Sequence, residues 1–522
     1  MLHSLLKRMQ PKFNQDMQSK KMWQEILSIT WPAFLELVLS TMFAMVDMIM
    51  VGRVSYAGLA AIGLTRQPFM LLNAIFAAVN VGTTTLVAWN IGAGNREKAS
   101  AVARQVLLIN FGLGIALSAV GIGFARPVVK FMGGNKDTME LGVVYFRYEA
   151  AGLMFLAVNS AITAALRGAG ETKLPMMYNI GANLFDVFAN WVMIYGKLGF
   201  PAMGVAGAAL STTISRSLSC AVALYVLFSR RSISKISIPL RGNYKPDFTI
   251  IRKVFSIGLP AAMEQFILQS GLMMFARTVS GLGTAEFAAH QIGLNINGLI
   301  FAPSMAFGVA ATTLVGQSLG SNDEAKAEHY ANKIHHMALA VACFVGTMFL
   351  LFSHPMARIY TDDRNVAHMA GTVLKIIALA QLGMPTTQSL AGALRGAGDT
   401  IYPLYASLFG IWIFRVFVAH VFVNVFGWGL IGAWVAFVLD QYTRASIVFF
   451  RYRSGKWKHM KSRSGVTRSN LQPCDQQPED MEDIQPENPE PCAQQSCGQQ
   501  PRPRDLQPEK VRDGKEITSC CK

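Results

Sequence analysis

A few carboxylates and other oxygen-bearing side chains interrupt stretches that are otherwise apolar. Glu36 and Asp47 are eleven residues apart, and an α-helix turns through about 1,100° over that length, so both fall within about 20° of one helix face. Asp186 and Asn190 are four residues apart, which places them on one face one turn from each other. A charged group at the centre of a membrane costs about 2.5 to 3.5 kcal/mol on insertion scales. Acids kept at that cost predict a functional cavity.

A hydroxyl completes the candidate set, because Thr212 lies in the apolar segment GAALSTTISR. Hard oxygen ligands suit sodium, and neighbouring carboxylates can hold a proton between them. We therefore predict a cation-coupling or cation-binding site, with sodium as one candidate occupant, and with protonation of Asp47 favoured. Its members are Asp47, Asp186, Asn190, Thr212 and Glu36. The alternative for these acids is a structural pairing with a buried arginine or a helix cap, and buried Asn and Thr often only bond to neighbouring helices.

The second half of the chain offers fewer candidates. Glu264 stands where a copy of Glu36 would be, and it is predicted to assist cation binding. His290, in AAHQIGLN, could contribute as a proton relay, but a hydrogen bond between helices is the favoured interpretation. Asp440 and Arg444 are four residues apart and are predicted to form a structural pair on one helix.

The elements that must position these groups are membrane helices. The chain has 522 residues, 52% of them hydrophobic and 15% charged, with a mean hydropathy of +0.32, which is too apolar for an ordinary soluble protein. Twelve apolar runs are long enough to cross a bilayer. They are 29–51, 60–88, 100–124, 139–164, 174–196, 204–228, 253–278, 286–316, 328–352, 366–391, 401–424 and 429–450.

The chain contains two copies of one unit. ALRGAGET, which begins at Ala165, returns as ALRGAGDT at Ala393, 228 residues later, and the same offset carries Pro32 onto Pro260. Internal repeats in a membrane protein are typical of transporters with a substrate path between the halves. The predicted fold class is therefore an all-α polytopic membrane protein with two repeated six-helix bundles.

Basic residues cluster before the first span, at the central joint and after the last span, and they account for much of the net charge of +16. The positive-inside rule places all three regions, and both termini, on the cytoplasmic side of a cell membrane. There the basic residues would contact lipid headgroups rather than nucleic acid. The predicted organisation is a basic segment (1–24), an N-lobe with helices 1 to 6 (25–229), a cytoplasmic linker (230–249), a C-lobe with helices 7 to 12 (250–453) and a disordered polar tail (454–522).

Several functional classes lack their motifs. HExxH, GxSxG, P-loop and clustered-histidine patterns are absent from the sequence, as is CxxC, so neither an integral-membrane enzyme nor structural zinc is favoured. No catalytic residue and no cofactor other than a coupling ion is predicted. A passive channel is a further alternative.

Four segments together resemble a known family: WPAFLELVLSTMFAMVDMIMVGRV from Trp31, AAHQIGLN from Ala288, TTLVGQSLGSND from Thr312, and the paired ALRGAG motifs. They look like the multidrug and toxic compound extrusion (MATE) family, over about 26–452. The resemblance implies a V-shaped, twelve-helix exporter that opens alternately to either side. It also implies expulsion of cationic or amphipathic drugs in exchange for protons or sodium, in the plasma (inner) membrane and as a functional monomer.

The resemblance further implies a cation site on helices 1, 5 and 6 of the N-lobe, as in the family branch with an acid in the first helix. One feature departs from that pattern: the family has Asn before Asp on helix 5, whereas this chain has Asp186 before Asn190. The remaining alternative is a flippase of lipid-linked oligosaccharides or other lipids from the same broad superfamily. Such a protein needs a basic cavity for pyrophosphate, and the N-lobe candidates are acidic.

Overall fold

A computed structural model describes residues 2–229, 234–238, 245–361 and 363–460. Half of the predicted linker and nearly all of the predicted tail therefore lie outside the described residues. Helices make up most of the described chain, and no strand occurs within it.

Fifteen α-helices follow one another along the described residues. They are α1 (Leu2–Gly52), α2 (Tyr56–Gly92), α3 (Arg96–Gly123), α4 (Ala125–Phe131), α5 (Lys136–Ala151), α6 (Leu153–Gly168), α7 (Lys173–Tyr195), α8 (Val205–Phe228), α9 (Phe248–Ser280), α10 (Thr284–Gly320), α11 (Glu324–Arg358), α12 (Arg364–Ala380), α13 (Gly383–Gly396), α14 (Ile401–Ser407) and α15 (Gly429–Arg453). After α14 the helix continues as two π-helical segments, Leu408–Val418 and Val421–Val425. A 3₁₀ turn, Lys456–His459, follows α15.

Each of the twelve predicted spans corresponds to one of these helices, to a bent pair or, for the eleventh span, to α14 with the two π-helical segments. The fourth span is α5 and α6, bent by 41°, and the tenth is α12 and α13, bent by 44°. Within the described chain, seven helices are long and apolar enough to cross a membrane, or nine with the bent pairs. The other three predicted spans, α7, α9 and α15, carry the acids or arginines that the cavity and the C-lobe interior require, and this lowers their hydropathy.

Local sequence explains where the helices begin. Asn95 caps α3 by accepting a hydrogen bond from the Lys98 backbone N–H, and Asp323, its counterpart 228 residues later, caps α11 by accepting from Lys326 N–H at the same distance of 2.9 Å. A side-chain oxygen at this position satisfies one of the free N–H groups of the first turn. The repeat is thus preserved at the level of single hydrogen bonds.

The first helix of each half places its beginning in the core of the other half. Ile26 and Ile29 of α1 are buried among α10, α11 and α13 of the C-lobe. Val254 and Ile257, 228 residues later on α9, are buried among α2, α3 and α6 of the N-lobe. Helix contacts of this kind in a membrane protein are stabilised by van der Waals packing. This exchange ties the two lobes together at one end of the bundle.

Four hydrogen bonds reinforce that end, and they come in two repeat-related pairs. The Thr85 hydroxyl donates to the Arg395 carbonyl at 2.8 Å, and the Thr313 hydroxyl donates to the Arg167 carbonyl at 2.9 Å. In addition, the Trp89 indole donates to the Gly396 carbonyl at 2.8 Å, and the Gln317 amide donates to the Gly168 carbonyl at 2.9 Å.

The acceptors all belong to the two ALRGAG motifs, whose carbonyls at the ends of α6 and α13 lack partners within their own helices. We call this set of contacts the inter-lobe seal. It lies at the end of the bundle where α3 and α11 begin, which we call the basic face because Arg96, Lys98 and Lys326 stand there.

Close backbone contact between the lobes requires glycine. A Cβ atom at Gly258 would lie 2.1 Å from the Ala78 carbonyl oxygen, and one at Gly82 would lie 2.3 Å from the Val254 carbonyl oxygen. Gly82 lies on α2 and Gly258 lies on α9, so each glycine admits the backbone of the helix from the other lobe. No larger residue fits without separating the two helices.

We predict that Gly258→Ala weakens the packing of α9 on α2 and lowers the thermal unfolding temperature in detergent, because overpacking of this kind costs about 1 to 3 kcal/mol. Gly181→Ala is the matched control, since a Cβ there meets nothing within 4 Å. Intrinsic fluorescence during a temperature ramp measures both. Equal unfolding temperatures for the two variants would contradict this description of the interface.

Candidate functional site

A cavity of about 580 Å³, which we call the central cavity, lies mainly within the N-lobe and reaches the C-lobe. Helices α1, α6, α7 and α8 supply most of its wall, and α2, α10 and α13 supply the remainder. Its charged lining residues are Glu36, Asp47, Arg167, Asp186, Arg216 and Arg395. The inter-lobe seal lies beside it, because the carbonyls of Arg167 and Arg395 accept the hydroxyl hydrogen bonds of that seal.

Asp47 is held by α7 and α8. The Asn190 amide donates to Asp47 Oδ1 at 2.8 Å. The Ser211 hydroxyl in turn donates to Asn190 Oδ1. Asn190 and Ser211 are both fully buried, so this chain of hydrogen bonds fixes the amide with its nitrogen facing the carboxylate.

Asp186 lies one helical turn from Asn190 and lines the same cavity. It accepts a hydrogen bond from the Ser215 hydroxyl at 3.2 Å. Thr212 also lines the cavity, but its hydroxyl donates along its own helix to the Ala208 carbonyl at 3.0 Å. The structure thus brings together Asp47, Asp186, Asn190 and Thr212. The sequence analysis assigned them to helices 1, 5 and 6 of the N-lobe, which are α1, α7 and α8.

The arginines of the ALRGAG motifs form ion pairs with glutamates of the first helix in each lobe. Arg167 lies 2.9 Å from Glu36, and Arg395 lies 2.7 Å from Glu264. All four residues obey the 228-residue repeat. A third cavity arginine, Arg216, lies 2.9 Å from Glu149.

These pairs decide the charge of the cavity. Each arginine that lines it is neutralised by one glutamate that is 7% exposed or less. Asp47 and Asp186 form no ion pair within the described residues, and their partners are neutral amide and hydroxyl groups. When both are ionised, the cavity therefore has two uncompensated negative charges, and they lie close enough to interact.

Glu36 and Glu264 follow the structural alternative given in the sequence analysis, in which an acid within a span pairs with a buried arginine. Besides Arg167, Glu36 accepts from the Asn179 amide at 2.7 Å. Glu264 accepts from the Ser407 hydroxyl at 3.2 Å in addition to Arg395. Both acids occupy the repeat-related positions expected of them, but each is already matched by a cation.

Two C-lobe predictions were wrong. The His290 side chain is fully buried among Phe275, Phe287 and Trp434, and its ring nitrogens have no hydrogen-bond partner in the described part of the chain. The aromatic packing therefore replaces the predicted hydrogen bond between helices.

Asp440 pairs with Arg415 of the π-helical segment rather than with Arg444 of its own helix. Arg415 is buried and needs a counter-charge, and the i, i+4 spacing within one helix gives no information about an arginine on a neighbouring segment; Arg444 is buried as well.

Several site residues were missed from the sequence, namely Glu149, Arg167, Asn179, Ser211, Ser215, Arg216 and Arg395. The two motif arginines could have been found, because their spacing repeats that of Glu36 and Glu264 and a buried acid requires a cation. The serines carry no comparable signal, since small hydroxyl residues are common in packed membrane helices.

The orientation of Asn190 bears on the predicted set of four oxygen ligands. Asn190 directs its nitrogen toward Asp47 and its oxygen toward Ser211, so one of the four predicted oxygen ligands is turned away. Sodium prefers several converging oxygens, as other hard cations do. Over the described residues, no group of three or more His, Cys, Asp or Glu side chains converges on one point.

Comparison with known families and proteins gives consistent matches. The MatE family model matches residues 32–192 and 260–445. A probable multidrug resistance protein NorM from Thermotoga maritima is 31% identical over 476 residues, which covers 90% of this chain and 99% of the relative. The multidrug resistance protein PmpM from Pseudomonas aeruginosa is 28% identical over 391 residues, covering 74% and 81%.

Solved structures share the fold. One described as an outward-facing conformation of a multidrug resistance MATE family transporter superposes with a TM-score of 0.78 at 23% identity, covering 84% of this chain and 96% of that one. A structure described as MATE in the straight conformation gives the same score at 24% identity, covering 84% and 97%. The resemblance and the two-lobe helical fold class drawn from the sequence are both confirmed.

We predict that Arg167→Gln lowers the free energy of unfolding by about 3 to 5 kcal/mol, because it leaves Glu36 buried without its counter-ion. Glu36→Gln added to Arg167→Gln should recover most of that loss, since the orphaned charge is then removed. Denaturant titration in detergent measures both. Arg126→Gln is the control, because its pair with Glu140 is more than 60% exposed on both sides and is worth about 0 to 1 kcal/mol. A double variant as unstable as Arg167→Gln would refute the charge matching.

Proposed function

The chain belongs to the MatE family of multidrug and toxic compound extrusion transporters, and from this premise we propose that it is a proton-coupled antiporter of organic cations. It is an integral membrane protein. Its substrates are cationic or amphipathic organic compounds, in keeping with the drug-resistance names of its relatives. The observation that carries the proposal is the pair of uncompensated carboxylates, Asp47 and Asp186, in the central cavity.

The cavity has the size and lining that such substrates need. Its volume of about 580 Å³ falls within the 300 to 1,000 Å³ that small-molecule sites commonly occupy. Apolar side chains including Phe43, Leu156 and Met305 line it beside the two acids. An amphipathic cation can therefore place its apolar part against these side chains and its charge near the carboxylates, and flexible methionine tolerates varied shapes.

Exchange follows from competition for the same charge. A proton on Asp47 or Asp186 removes the attraction that holds an organic cation, and a bound cation favours the ionised form of both acids. Within the described residues neither acid forms an ion pair with an arginine, because the nearby Arg216 is paired with Glu149, so the negative charge of each acid is compensated by one ligand or the other. The coupled groups are a pair, and we assign the proton to the pair rather than to one residue.

Alternating access requires that the two ligands stabilise different arrangements of the lobes, since a ligand shifts an equilibrium only by its differential affinity. The inter-lobe seal supports a closed cytoplasmic side in this arrangement. We place the basic face, both termini and the linker in the cytoplasm of the plasma membrane by the positive-inside rule. Release of the four seal hydrogen bonds would then admit substrate from the cell interior to a monomeric carrier.

The flippase alternative is less well supported. The cavity does contain basic groups, because Arg167, Arg216 and Arg395 line it. Each of them is occupied by a glutamate, however, so none offers a free pair of donors to a pyrophosphate. A flippase of acidic lipids would need the reverse balance of charge.

We predict that Asp47→Asn and Asp186→Asn each reduce efflux driven by a proton gradient by at least about tenfold, because either change removes one partner of the coupled pair. Purified protein in liposomes, with a fluorescent cationic dye and with proton and sodium gradients imposed separately, measures the effect. Asp137→Asn is the control, since Asp137 is an exposed residue in the first turn of α5.

Proton-driven efflux that survives in Asp47→Asn/Asp186→Asn would overturn the proposal. Efflux driven by sodium alone in the unaltered protein would overturn the choice of proton over sodium. Gradient-independent, unsaturable flux would instead favour a channel.

A further inference from the structure

A second cavity, of about 640 Å³, lies at the basic face of the N-lobe. The beginning of α3, the end of α8 and the linker segment 234–238 enclose it. It is separate from the central cavity in its lining residues, and neither the transport site nor the inter-lobe seal uses it.

The charge of this cavity is positive. Arg96, Arg104 and Lys235 line it, and Glu97 is the one acid among its lining residues. Helix α3 begins at Arg96, so the positive end of its helix dipole adds partial positive charge to that of the side chains. Phosphate oxygens are the natural partners of such a set, because charge-assisted hydrogen bonds from arginine and lysine are among the strongest in proteins.

The linker holds its lysine over the cavity in a fixed way. The Lys235 backbone N–H donates to Glu171 Oε1 at 2.7 Å, and the Ile238 N–H donates to the Leu227 carbonyl at 3.0 Å. Ile236 and Ile238 are both buried in the N-lobe core. The segment is therefore packed on the lobe, and the cavity is formed before any ligand arrives.

The helix surfaces beside the cavity indicate which kind of phosphate compound would fit. Both α3 and α8 pack against α6, and further along each helix large apolar side chains are exposed, including Phe111 and Ile115 on α3 and Val222 and Tyr225 on α8. In a membrane protein such surfaces face acyl chains. A molecule with a phosphate at the basic face and hydrocarbon alongside α3 and α8 satisfies both parts of the site.

We propose that this cavity binds the headgroup of an anionic phospholipid from the leaflet at the basic face, with its acyl chains along α3 and α8. Basic pockets between membrane helices favour anionic over zwitterionic headgroups, because a choline group would bring its own positive charge next to the three basic side chains. A soluble phosphate compound would gain nothing from the apolar flanks.

The test is native mass spectrometry of the full-length protein titrated in detergent with phosphatidylglycerol and, separately, with phosphatidylcholine. We expect tighter binding of phosphatidylglycerol, and at least a tenfold weaker affinity for it, by order of magnitude, in Arg96→Gln/Arg104→Gln/Lys235→Gln. Lys98→Gln/Arg252→Gln/Lys456→Gln is the control, because it removes the same charge from exposed positions on the same face. Lys235→Glu alone keeps the backbone contacts of the linker and should also weaken binding.

Three results would overturn the proposal. One is an equal loss of affinity in the control triple variant, which would mean that only the overall charge of the face matters. Another is full displacement of phosphatidylglycerol by inorganic phosphate at millimolar concentration, which would make this a site for soluble phosphate. The third is unchanged phosphatidylglycerol affinity in Lys235→Glu and in the cavity triple variant.

Discussion

The structure depends on one constraint: a buried arginine and a buried glutamate are each too costly to leave alone in a membrane. Arg167 with Glu36, and Arg395 with Glu264, meet that constraint twice, at positions related by the internal repeat. The same pairing consumes the charge of every arginine at the central cavity. What remains is the negative charge of Asp47 and Asp186, and the proposed transport chemistry rests on that remainder.

The ALRGAG motifs connect this electrostatic balance to the movement of the lobes. The Arg167 and Arg395 side chains neutralise acids at the cavity, while their backbone carbonyls accept hydrogen bonds from the opposite lobe. The residue after each motif also holds the chain that leaves its lobe: Glu171 binds the linker, and Asp399 binds Arg451 at the end of α15. A rearrangement of the lobes must therefore change the contacts of the same short segments that set the charge of the cavity.

Much of the fold could be predicted from the sequence because the relevant forces are local or repeated. Hydrophobic length located the twelve spans, and the 228-residue offset showed the duplication. Helical spacing placed Asp186 and Asn190 on one face of α7, where Asp186 lines the cavity and Asn190 contacts Asp47. The order of these two residues, reversed with respect to the family, still leaves one acid and one amide in contact with α1 and α8.

Contacts between distant segments could not be predicted in the same way. Arg167 and Glu36 are 131 residues apart, and the ion pair depends on how α6 packs beside α1, which no local pattern encodes. Asp440 illustrates the converse, because a suitable local partner was present and an arginine from another segment of the chain took its place. Ser211 and Ser215 orient the site through single hydroxyl groups, and their importance becomes visible only when the neighbouring helices are in position.

The most direct test of the central claim is a measurement of proton release when a cation binds. Purified protein in weakly buffered detergent would be mixed with tetraphenylphosphonium, a permanently charged cation, while a pH indicator reports protons in solution. The account predicts proton release from the unaltered protein at the pH where the pair is partly protonated, and none from Asp47→Asn/Asp186→Asn. Binding without proton release from the unaltered protein at every pH between about 5 and 9, a range that spans the usual titration of perturbed carboxylates, would contradict it.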